Sequence, residues 1–148
     1  MGEKVMTSSD HAGLLLRAEA VRAAGEAGFE VQDIGPSPGQ RVDYPDAARE
    51  VAEAVAAGRA RFGILVCGTG IGVSISANKV KGVRAALCTT EFEARMARAH
   101  NDANVLCLGE RVIGAGVCAG IVRAFLETPF EDGGRHAVRV QKIRDLER

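Results

Sequence analysis

The chain has 148 residues, enough for one domain with a real core, and its 47% hydrophobic and 26% charged residues are ordinary for a soluble globular protein. Nineteen Lys plus Arg balance nineteen Asp plus Glu, and there is no Trp and one Tyr. Bulk attraction to nucleic acid or to an anionic membrane is therefore not expected, nor are platforms for base stacking.

Five short apolar runs rich in β-branched residues predict strands at Lys4–Thr7, Glu30–Ile34, Phe62–Val66, Val83–Leu87 and Asn104–Leu108. Stretches rich in Ala, Arg, Glu and Leu predict helices near 12–27, 45–57, 71–80, 91–100, 114–127 and 135–146. Gly28 and Gly58 close the first two helices, and Thr128-Pro129 closes the fifth. The stiff loop Gly35-Pro36-Ser37-Pro38-Gly39 and the pair Gly133-Gly134 separate elements. Alternating strands and helices predict an α/β/α sandwich on a mostly parallel sheet, with the second to fifth strands buried on both faces. No repeat or linker divides the chain, so residues 1–148 read as one domain.

No apolar run approaches the ~18 residues of a membrane span, and the first residues lack the layout of a secretion signal. The four cysteines, Cys67, Cys88, Cys107 and Cys118, form no C-x-x-C pair, so zinc and thioredoxin-type motifs are absent. Free thiols in a reducing cytoplasm are the expectation, with Cys88, Cys107 and Cys118 as small core hydrophobes.

In open α/β sheets, ligands bind beyond the carboxyl ends of the strands. Three strand ends carry polar groups: Ser8-Ser9-Asp10-His11, the Cys67 loop, and Thr89-Thr90-Glu91. The loop is the most telling. In Cys67-Gly68-Thr69-Gly70-Ile71-Gly72, a thiol stands where an apolar strand turns into a glycine-rich loop and then a helix. Glycines let successive N–H groups face one point, and a helix N-terminus favours a thiolate beside it. A base or nucleophile next to an oxyanion nest is one reading. A structural turn around a buried cysteine is the other. Asp10 reads either as a helix N-cap or as a contact to substrate, and His11 beside it suits phosphate binding or proton transfer. His100 reads as structural or as an acid/base. Arg135 and Arg139 share one face of the last helix, with His136 beside them, and Arg111 follows the last strand. They read as a solvated face or as a phosphate clamp.

A base, an oxyanion nest, a proton-transferring His and phosphate-binding arginines are together what is needed to move a carbonyl between C1 and C2 of a phosphorylated sugar. That reaction calls for neither metal nor organic cofactor. A nucleotide-binding module fits less well, because the loop runs G-x-G-x-G rather than G-x-G-x-x-G, although Glu91 stands where a ribose-binding acid would. A thiol hydrolase or phosphatase lacks its loop arginine between Cys67 and Lys79. A non-catalytic sugar-phosphate binder would not need Cys67, His100 and Asp10 together.

The motifs Asp10-His11-Ala12-Gly13, Asp43-Tyr44-Pro45, Cys67 to Gly72, Ala77-Asn78-Lys79, Gly82-Val83-Arg84-Ala85, His100 to Val105 and Gly133-Gly134-Arg135-His136, in this order and spacing, resemble the ribose-5-phosphate isomerase B group of the ribose/galactose isomerases. The resemblance spans nearly the whole chain. It implies a Rossmann-like fold with a five-stranded parallel sheet. It also implies a homodimer or tetramer whose active site is shared between subunits, the C-terminal helix near 135–146 reaching the partner. By resemblance, Cys67 is the base, with Thr69 beside the reacting oxygens and the amides from Gly68 through Gly70 and Ile71 to Gly72 holding an enediolate. Asp10 and Tyr44 contact sugar hydroxyls, and Asp43 assists ring opening. His100 from the partner opens the ring, with Asn101 near it. His11, Arg111, Arg135 and Arg139 bind phosphate, the arginines coming from the partner. One branch of the family uses a glutamate in place of the cysteine, at the position that is Val73 here. Ser8 stands where Gly is usual in the family, and a side chain there is expected to narrow the pocket or alter contacts to sugar hydroxyls. The implied substrate is ribose 5-phosphate, with four- and six-carbon sugar phosphates as alternatives.

Overall fold

The computed structural model describes residues 2–147; Met1 and Arg148 of the single expected domain lie outside it. Strands and helices alternate along the chain until a second helix follows the tenth element: β1 Lys4–Ser9, α1 Leu14–Glu26, β2 Glu30–Asp33, α2 Tyr44–Ala56, β3 Phe62–Cys67, α3 Ile71–Ala77, β4 Ala85–Leu87, α4 Glu91–Asn101, β5 Val105–Gly109, α5 Ala115–Glu127 and α6 Arg135–Asp145. The five strands form one parallel sheet in the order β2-β1-β3-β5-β4, as the Rossmann-like reading requires.

Side chains of a strand alternate between faces, and β3 shows it. Phe62, Ile64 and Val66 enter a core shared with α1, α4 and α5. Leu65 and Cys67 enter a second core shared with α2 and α3. Helix α5 buries Cys118, Ile121, Val122, Phe125 and Leu126, the three-and-four spacing of one helical face. All four cysteines are free and buried. Burial pushes the thiols of Cys88 and Cys118 up to about 12 and that of Cys107 well above its ordinary value, which fits their reading as core hydrophobes. No helix among the described residues is long and apolar enough to cross a membrane.

Two expectations change. β2 is not buried on both faces: it is an edge strand, and Glu30, Gln32 and Asp33 are exposed. Its polar residues are used in pairing. Asp33 accepts from Thr7 Oγ1 over 2.8 Å and pairs with Arg17 at 3.1 Å. β4, at the other edge, is only half-buried. The Asn78 amide pairs with both the N–H and the C=O of Ala85 (2.8 and 3.0 Å), which occupies part of that edge.

Candidate active site

β1 and β3 are adjacent, and their chains leave the sheet in opposite lateral directions, toward β2 and toward β5 and β4. That is a topological switch point, where a crevice opens beyond the strand ends. A cleft of about 480 Å³ lies there, lined by Asp10, His11, Tyr44, Cys67, Gly68, Thr69, Ile71, Gly72 and Arg111. These come from the ends of β1, β3 and β5, the first residue of α2 and the first turn of α3.

Cys67 is the last residue of β3 and is 5% exposed. The Gly70 N–H donates to its sulfur over 3.1 Å. Gly70 stands just behind the cleft wall, with φ +81, a left-handed conformation that favours glycine. A Cβ there would sit 2.5 Å from Leu87 Cδ1 and 2.9 Å from the Leu108 carbonyl carbon. The backbone N–H groups of Gly68 and Thr69 take no part in the hydrogen bonds of the loop among the described residues, so they remain available to an anion. Thr69 Oγ1 accepts from the Ile71 N–H (3.2 Å), which leaves its hydroxyl hydrogen free to donate.

Asp10 is 7% exposed, and one of its carboxylate oxygens accepts the Ala12 N–H at 2.9 Å. It is not the cap of α1: the helix begins later, at Leu14, and the Leu16 N–H is satisfied by Glu110 from beyond β5 (2.9 Å). His11 Nδ1 faces the Val42 carbonyl at 3.2 Å. A carbonyl only accepts, so Nδ1 carries the hydrogen and Nε2 is left unengaged. Tyr44 packs its ring on Gly72, where a Cβ would come within 2.5 Å of the ring.

Arg111 departs from the reading that gives it to a partner subunit. It lines this chain's own cleft, its guanidinium against Gly68 and its N–H bonded to the Gly68 carbonyl at 3.0 Å. The cause is topological. β5 pairs with β3, so residues just past β5 land beside the Cys67 loop.

Two other polar groups at strand ends prove structural. Thr89-Thr90-Glu91 opens α4 as a capping arrangement: Thr90 accepts the Glu93 N–H, and the Glu93 carboxylate accepts from Thr89 N–H and Oγ1 at 2.8 and 2.7 Å. Ser8 is 3% exposed and donates to the Gly35 carbonyl at 2.9 Å. It lies in a different, smaller pocket with Gly35 and Pro36, so it does not narrow the Cys67 cleft. Asp43 is exposed and makes no side-chain cap to α2.

His100, Asn101, Arg135 and Arg139 do not join the cleft. In a parallel sheet the turn from α4 into β5 lies at the edge where strands begin, opposite the edge where β1 and β3 end. That turn is held firmly. Asp102 takes φ +47 and pairs with Arg98 (2.9 Å) and Arg84 (3.3 Å), while the buried Arg98 also donates to the Ala103 carbonyl. Asn101 borders a separate groove of about 580 Å³ with Lys79, Arg84, Ile143 and Leu146. His100 stacks on His136 of α6, with ring centroids 4.0 Å apart and planes 6° from parallel. Glu131 approaches both rings. Desolvation, then the neighbouring His100 and Arg135, hold His136 below its ordinary pKa, against the pull of Glu131. The pairing of Glu131 and His136 with His100 was not legible in the sequence, because the loop that carries Glu131 shows no motif of its own.

The Ribose/Galactose Isomerase family matches residues 5–143 of this chain. Ribose-5-phosphate isomerase B of Escherichia coli (strain K12) is 46% identical over 145 residues, covering 98% of this chain and 97% of that protein. The type B ribose 5-phosphate isomerase of Trypanosoma brucei superposes with a TM-score of 0.96 at 52% identity, over 99% of this chain and 100% of the other. Ribose-5-phosphate isomerase B of Clostridium thermocellum gives a TM-score of 0.93 at 50% identity, over 97% of both chains.

Proposed function

The chain belongs to the ribose/galactose isomerase family, and we propose that it interconverts ribose 5-phosphate and ribulose 5-phosphate with Cys67 as the proton-transferring base. Family membership sets aside the nucleotide-binding, thiol-hydrolase and non-catalytic readings. The observation that carries the proposal is the Cys67 sulfur, held by the Gly70 N–H in a cleft that also contains Asp10, His11, Tyr44 and Arg111.

The Cys67 thiolate takes the proton from C2 of the open-chain aldose. The electron pair moves into the C1–C2 bond, and the C1 oxygen gains negative charge. The N–H groups of Gly68 and Thr69 and the Thr69 hydroxyl lie near the sulfur to receive that oxyanion. The thiol returns the proton to C1, and a hydroxyl proton passes from O2 to O1, giving the ketose. Asp10 and Tyr44 orient sugar hydroxyls. His11 and Arg111 hold the phosphate end, Arg111 supplying a planar fork of donors from the same chain as Cys67.

Opening the furanose ring needs a further proton donor and acceptor. His11 uses Nδ1 on a carbonyl, and the only other histidines of the chain are His100 and His136, at the opposite edge of the sheet. This supports a site completed by a second copy, which contributes His100 and Asn101 and adds Arg135 and Arg139 to the phosphate site. The last helix then reaches across the interface of a homodimer.

The test is turnover of four-, five- and six-carbon aldose phosphates by the purified protein. The highest kcat/KM is expected with ribose 5-phosphate. Turnover of a six-carbon substrate with none of ribose 5-phosphate would contradict the assignment.

A further inference from the structure

His100, Glu131 and His136 bring two imidazole nitrogens and a carboxylate oxygen within 4.8 Å of one another, away from the Cys67 cleft of their own chain. We propose that these three residues form a binding site for a divalent transition-metal ion of the zinc class. Two histidines and one glutamate are a donor set that zinc accepts, with the fourth position left to water.

The distances need little change. Bonds of ~2.0–2.2 Å in a tetrahedral arrangement put donors roughly 3.3 Å apart. Glu131 Oε2 is 3.6 Å from His136 Nε2 and 4.0 Å from His100 Nε2. Because the rings are stacked, their lone pairs run side by side, and one ring must turn about its Cβ–Cγ bond to aim at a shared point. Room exists for that turn: the His100 side chain is 35% exposed and that of Glu131 is 61% exposed.

The backbones that carry the donors are already fixed. His100 lies in the last turn of α4, next to the Asp102 cluster. His136 lies in the first turn of α6. The Glu131 N–H donates to the Ala99 carbonyl at 2.9 Å, which ties the connecting loop to the end of α4. Only side-chain torsions remain to be ordered. Arg135 and Arg139, on the same helix as His136, oppose a dication, and so affinity is moderate and a metal that bonds strongly to imidazole is favoured over Mg²⁺ or Ca²⁺.

Occupancy would withdraw His100 from ring opening and inhibit the isomerase, a consequence that rests on the function proposed above. The experiment is calorimetric titration of the full-length protein with zinc chloride in a non-chelating buffer. It is run on the wild type, Glu131→Gln and His136→Asn, with turnover followed in parallel. One zinc ion per chain is expected for the wild type, with affinity reduced about tenfold or more in each variant. Equal zinc affinity in all three proteins would overturn the proposal and would place the metal elsewhere, Cys67 being the obvious thiolate. In the turnover arm, zinc is expected to inhibit the wild type reversibly and Glu131→Gln only at higher concentration. Zinc bound at this site without loss of turnover would leave the metal site standing and would contradict the role of His100 instead.

Discussion

Gly70 donates its backbone N–H to the sulfur of Cys67 over 3.1 Å, from a left-handed conformation with no room for a Cβ. The glycine therefore serves the thiol directly. Gly70→Ala must strain the loop by ~1–3 kcal/mol and push against Leu87 and Leu108, moving the N–H off the sulfur. We expect a lower Tm and a kcat reduced roughly 100-fold, comparable with the loss of an oxyanion donor. Unchanged kcat in a folded variant would mean that this hydrogen bond is irrelevant to the chemistry.

The capping carboxylate of α4 gives a pH dependence. Hydrogen bonds from the Thr89 backbone and hydroxyl hold Glu93 below its ordinary pKa of 4.5. A depressed carboxylate stabilises the fold above its unfolded pKa, and that stabilisation is lost as pH falls through the folded value. Glu93→Ala should cost about 0.5–1 kcal/mol at neutral pH, given the exposure of the cap. The gap between the two proteins should be constant above about pH 5 and narrow at lower pH. Denaturant unfolding across this range checks it; a gap independent of pH would show that the ionised carboxylate contributes nothing.

A shared site has a different consequence. In the shared site proposed above, Cys67→Ala and His100→Ala should each disable both sites of their own homodimer. In a hybrid dimer one site keeps both residues, so mixing the two inactive proteins under conditions of subunit exchange should restore part of the wild-type activity. With exchange demonstrated by mass spectrometry, an absence of recovery would mean that Cys67 and His100 do not act together across an interface.

Much of this was legible from sequence. The helix and strand periodicities locate all eleven elements to within a few residues, because most of them bury a continuous apolar stripe or run. The Cys67 loop and Asp10 were readable because ligands gather beyond strand ends. Strand order was not readable, and it decides where Arg111 goes: β5 inserts between β3 and β4, out of chain order, and carries Arg111 to the Cys67 loop. The edge position of β2 was written in Glu30, Gln32 and Asp33, whose polarity is incompatible with burial on both faces. Ser8 and Thr89 misled for another reason. A polar residue at a strand end is equally able to serve the fold: Ser8 donates to the Gly35 carbonyl, and Thr89 donates through its N–H and hydroxyl to the Glu93 carboxylate.

The central claim is that the thiolate of Cys67 moves the proton between C2 and C1. The most direct measurement is the steady-state turnover of ribose 5-phosphate by Cys67→Ala, alongside its affinity for a non-reacting sugar-phosphate analogue. The account predicts kcat lowered by ~10²–10⁴-fold with analogue affinity within several-fold of wild type. Near-normal turnover by the alanine variant would contradict it.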